Sequence, residues 1–203
     1  MSQCNSSLVR LLTLTCFFAF GLLPYSSITH AKKEPPVYDD PEGYSVLSLL
    51  LGGAGQDIHS QSINISAFTT VETPDGLTSL EKCVKIPNEF REAADDYLRK
   101  TKTPYLFQEK FALKTPYRLV TKRHKENDDI KHPPRNDKEI SDQISSGVFY
   151  LSPVGFDSTH THAIAFKNYI CGSTCGWGSY HFLVRDKDRW EEAKGVGGCI
   201  WQY

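Results

Sequence analysis

The chain has 203 residues, with 23 basic against 24 acidic side chains and six cysteines. So even a balance gives no electrostatic case for a nucleic acid or an anionic membrane surface as partner. The length suits one domain with its own core once a leader has been removed.

Residues 1–31 read as that leader. Arg10 is the only formally charged side chain before Lys32, and it precedes the apolar run from Leu11 to Leu23. Pro24 breaks the run, and Thr29-His30-Ala31 offers small residues at minus three and minus one of a cleavage site. The run is too short for an ordinary membrane span, and no later segment approaches that length. A secreted or periplasmic mature protein without a transmembrane segment is therefore expected. Losing Arg10 leaves 22 basic against 24 acidic side chains, a formal charge of −2.

Residues 32–40 are polar and proline-bearing and are expected to form a flexible lead-in. Asp40-Pro41-Glu42 then predicts a helix start, with an N-cap, a proline in the first turn and an early acid. Tyr44, Leu47 and Leu51 recur at helical spacing until Gly52-Gly53 ends the helix. The glycines follow a helix and have no Lys-Ser/Thr behind them, so a phosphate-binding loop is not expected. Residues 63–71 are rich in β-branched side chains and predict a strand that ends at Pro74-Asp75-Gly76. Asn64-Ile65-Ser66 is a formal glycosylation acceptor within it.

The clearest helix begins at Pro87 and ends before Thr103-Pro104. Phe90, Ala94, Tyr97 and Leu98 form its apolar stripe. Glu92, Asp95, Asp96 and Arg99 lie off the stripe and are expected on a solvated face. A short strand, weakened by Pro116, falls within 111–120. Residues 121–141 alternate charge signs around Pro133-Pro134 and are expected to be a mobile surface loop. The last third reads as strands over 148–154, 162–169, 179–185 and 189–196. The final two flank Asp186-Lys187-Asp188. Together these elements predict a single α+β domain over 41–203: a curved antiparallel sheet packed by one or two helices.

From Tyr44 to Trp201 the order of these signals resembles a family of secreted bacterial proteins to which no activity is attached. The residues that carry the resemblance are Gly147-Val148-Phe149-Tyr150-Leu151-Ser152-Pro153-Val154-Gly155-Phe156, then Ala163-Ile164-Ala165-Phe166, then Cys171-Gly172-Ser173-Thr174-Cys175-Gly176-Trp177-Gly178 and Trp190. The resemblance implies no catalytic motif. An Arg or Lys usually precedes Val-Gly-Phe in such relatives, whereas Pro153 stands here. Cys83 and Cys199 look like additions, which fits an extra bridge.

Four cysteines, Cys83, Cys171, Cys175 and Cys199, follow the leader. In an oxidising compartment they predict two disulfides with three possible pairings, of which Cys171–Cys175 with Cys83–Cys199 is favoured. Secretion and the lack of a second Cys pair argue against zinc at Cys-x3-Cys.

His160-Thr161-His162 is the best metal candidate, because alternate strand residues point to one side and His181 could supply a third imidazole. Cys175 with His181 would need a free thiolate, which a disulfide removes. Ser152 lacks the preceding glycine of a nucleophile elbow. No nucleophile, base and stabiliser come together in the sequence, and no cofactor is called for. The leading expectation is therefore a non-catalytic, disulfide-stapled binding module. Its partner would be an unknown protein or envelope ligand, held at 171–180 through Trp177 and Tyr180. The alternative is a metal-binding protein or metal-dependent enzyme using His160, His162 and His181.

Overall fold

The structure is a computed structural model that describes residues 34–54, 60–71, 79–121, 147–172, 175–196 and 200–202. The expected leader at 1–31, residues 122–141 of the expected loop, and Cys199 lie outside the described residues.

Helix α1 (Pro41–Leu51) starts where the sequence places it. The Asp40 side chain accepts from the Gly43 amide at 2.9 Å, Pro41 opens the first turn, and Gly52 caps the end. Strand β1 (Ile63–Ser66) follows, then the single-turn helix α2 (Leu80–Cys83). A 3₁₀ turn (Asn88–Phe90) leads into helix α3 (Arg91–Lys100). Strands β2 (Tyr117–Val120), β3 (Val148–Leu151), β4 (Gly155–Phe156), β5 (His162–Gly172), β6 (Cys175–Asp186), β7 (Arg189–Glu192) and β8 (Ile200–Gln202) complete the described elements.

The fold is α+β, built on an open sheet in the order β2-β1-β3-β5-β6-β7, with β4 on β5 and β8 on β6. The sheet is mixed, which corrects the antiparallel expectation. Strand β1 runs parallel to both β2 and β3. Parallel neighbours require a crossover connection rather than a hairpin, and the chain between β1 and β2 supplies one through α2 and α3. The antiparallel part is the C-terminal third, where β5 and β6 pair from His162↔Val184 to Gly172↔Cys175.

The two faces of the long β5–β6 pair carry separate cores, as strand alternation requires. Ala163, Ala165, Tyr169, Cys171 and Leu183 join α1, β1 and β3 in one core. Ile164, Tyr180 and Phe182 pack with Leu80, Phe90, Ala93, Ala94 and Tyr97 in the other. Phe90, Ala94 and Tyr97 of the expected stripe are buried, as is Ile164, while Leu98 and Phe166 are half-buried.

Two local expectations change. The segment 34–40 is not a free lead-in: Tyr38 is buried, and its amide donates to the Leu106 carbonyl at 2.8 Å. The polar face of α3 is only partly solvated. Asp96 accepts from the Phe156 amide at 3.0 Å and pairs with Lys100 at 2.9 Å, and Glu92 accepts from the Ser158 amide at 3.1 Å. Those acids hold the turn after β4 onto the helix.

Candidate functional site

Ring stacking and carboxylates separate the three histidines. His160 adopts a left-handed backbone (φ 54°). Its ring stacks on Phe156 with centroids 4.8 Å apart, and its Nδ1 lies 2.5 Å from Glu42 Oε2. His162 meets the edge of Phe90 at 4.9 Å and directs Nδ1 to Asp157 Oδ2 at 2.9 Å. His162 shares the parity of Ile164 and so faces the α3 core. His181 lies opposite Ala165 and so faces the α1 core. The sheet therefore stands between His162 and His181, and the three-histidine cluster expected from sequence does not form. Among the described residues no group of three His, Cys, Asp or Glu side chains converges as a metal site.

Asp157 organises the turn instead. Its buried carboxylate accepts from the amides of Thr161 (2.7 Å) and His162 (3.1 Å) and from the Thr161 hydroxyl (2.8 Å). Burial by itself would raise its pKa, but the hydrogen bonds from His162 and Thr161 outweigh that and hold the carboxyl well below the usual carboxylate range.

The expected recognition loop divides by parity. Cys171 and Cys175 form a disulfide across the end of the β5–β6 hairpin, with Cα atoms 5.1 Å apart. Cys83 is also disulfide-bonded. Trp177 is half-buried on the α1 side, where its ring lies 6.1 Å from both Phe149 and Tyr169. Tyr180, expected as a binding residue, is a core residue on the other face: it is 5% exposed and packs on Tyr97 and Phe166.

Beside Trp177 lies a polar chain that the sequence reading missed. Ser179 Oγ is 2.8 Å from His181 Nε2, and His181 Nδ1 is 2.8 Å from Glu192 Oε1. Ser179 and His181 are two apart on β6 and so share a face. The β6–β7 register sets Glu192 opposite Leu183, the next residue on that face. Burial, and then the positive charge of Lys167, push the His181 imidazole below its ordinary pKa, against the pull of Glu192. The ring is therefore neutral near pH 7. A carboxylate only accepts, so Nδ1 carries the proton toward Glu192, and Nε2 accepts from the Ser179 hydroxyl. Lys167 is the cross-strand partner of Ser179. Its ammonium donates to the Leu50 carbonyl at the end of α1 (2.8 Å) and lies 5.1 Å from the centre of the Trp177 ring.

Ser-x-His within an alternating strand was a local signal for the first link. The second link required the hairpin around Asp186-Lys187-Asp188 to be paired residue by residue. Among the described residues no helix is long and apolar enough to cross a membrane. Comparison of the chain with protein-family models, with curated proteins and with solved structures finds no match.

Proposed function

We propose that the chain is an exported protein, secreted or periplasmic, folded as one domain on a curved sheet and acting as a disulfide-stapled binding module. The observation that carries this reading is the Cys171–Cys175 bridge at the end of the longest hairpin, with Trp177 half-buried beside it. A stapled end loses little conformational freedom on binding, and a large aromatic side chain offers contact area with few torsions to fix. The disulfide also fits the oxidising compartment to which the leader would direct the chain. Its partner is an envelope protein or envelope ligand that meets this end of the hairpin.

Cross-linking of the protein in its native envelope tests the reading, with the Cys171→Ser/Cys175→Ser double variant and Trp177→Ala run alongside. A partner captured by the wild type and lost by both variants, while each remains folded, supports the stapled end. A partner retained by both variants moves the surface elsewhere. Nothing in the described residues favours the alternative metal reading, because the sheet stands between His162 and His181 and no group of three His, Cys, Asp or Glu side chains converges there.

A further inference from the structure

We propose that the chain Ser179–His181–Glu192 is an acyl-transfer site in which Ser179 is the nucleophile and small carboxylic esters are the substrates. This goes beyond binding, does not rest on the stapled end, and departs from the expectation of a non-catalytic protein. A serine nucleophile needs a base within hydrogen-bond reach and a third group that orients the base. Both distances are 2.8 Å, from Ser179 Oγ to His181 Nε2 and from His181 Nδ1 to Glu192 Oε1. The chain rises toward solvent. Ser179 is its buried end, while the His181 side chain is 14% exposed and that of Glu192 63%.

The step balances with groups on the page, the ester and water. Ser179 Oγ attacks the ester carbon as His181 Nε2 takes the hydroxyl proton. The bond to the alcohol oxygen breaks, and the alcohol leaves with that proton. Water then attacks the acyl-serine with His181 again as base, and the carboxylic acid departs as Ser179 recovers its proton. Lys167, directly across the strand pair on the same face, supplies positive charge for the oxyanion. The same charge, with burial, keeps the imidazole neutral and able to accept.

The substrate class follows from what surrounds the nucleophile. The amides of Trp177, Gly178 and Ser179 lie in the strand between β5 and β8, so among the described residues this stretch offers no free pair of backbone N–H groups to the oxyanion. One cationic side chain suits an ester, with its better leaving group, over an amide. Trp177, two residues earlier on the same face, gives an apolar wall for the acyl group.

The test is labelling of the full protein by an alkyl fluorophosphonate, in which Oγ attacks phosphorus and fluoride leaves, together with hydrolysis of p-nitrophenyl acetate. The expected result is a single adduct on Ser179 with both reactions lost in Ser179→Ala. His181→Ala should slow labelling about 100-fold or more. Glu192 is a positioning residue on the open surface, so Glu192→Gln should leave the melting temperature unchanged. It should slow labelling about tenfold or more, and Glu192→Asp should restore part of the rate. Labelling of the wild type should also fall as pH is lowered through the titration of His181. A folded wild type that takes no adduct overturns the proposal. So does an adduct at another residue, or a Ser179 adduct whose rate ignores both His181→Ala and Glu192→Gln.

Discussion

Replacing Asp157 by alanine should reveal how much of the fold depends on one turn. The carboxylate accepts from two backbone amides, Thr161 N at 2.7 Å and His162 N at 3.1 Å, and from the His162 ring at 2.9 Å. The threonine hydroxyls beside it are exposed and the His162 ring is half-buried, so these can turn to water and the lasting loss is at the two amides. A hydrogen bond to an ionised acceptor contributes about 1.5–3 kcal/mol. With the turn partly open to solvent, the low end applies to the two amides, and Asp157→Ala should cost about 3 kcal/mol. For a chain of this size that lowers the melting temperature by about 6–12 °C. Urea unfolding at pH 7 measures the difference directly. The sign with pH follows from the depressed carboxyl. The contribution is fully present above the unfolded value of about 3.9 and is lost as pH falls through the lower folded value. The gap between wild type and variant should thus hold from pH 7 to about 4 and shrink below that. A variant within about 1 kcal/mol of wild type at pH 7 would refute this account. So would a gap that widens on acidification.

Three further outcomes are expected. Gly155 lies against α3, and a Cβ there would meet the backbone of Ala93 and Tyr97. Gly155→Ala should therefore destabilise by about 1–3 kcal/mol or more, read by thermal melting. His181 is neutral in the fold because burial, then Lys167, lower its pKa. Stability should fall as pH drops below about 6.5, where the unfolded histidine gains its proton first, and His181→Gln should flatten that slope in urea titrations from pH 8 to 5. Thiol titration of the denatured, unreduced mature protein should find no reactive group, and peptide mapping should link Cys83 to Cys199. Four thiols would refute the stapled picture.

Helix α1 and helix α3 are legible in the chain because their causes are local. Asp40 reaches the Gly43 amide three residues on, and Phe90, Ala94 and Tyr97 recur at the helical period. The two faces of β5 and β6 are legible for the same reason, since alternation alone separates Ile164 from Ala165 and Tyr180 from His181. Taken with the β5–β6 register, that alternation also tells against a metal site shared by His162 and His181. Pairing between distant segments is different in kind. The parallel run of β1 beside β2 and β3 depends on where α2 and α3 carry the chain, and no residue of β1 encodes it. Asp96 and Glu92 look like a solvated face until the turn after β4 brings amides to them. The chain from Ser179 through His181 to Glu192 needs the register of two strands, and the neutrality of its imidazole needs burial together with Lys167 from a third. Sequence determined which residues share a face. Only the tertiary structure decided which faces meet, because those contacts come from the packing of segments far apart along the chain.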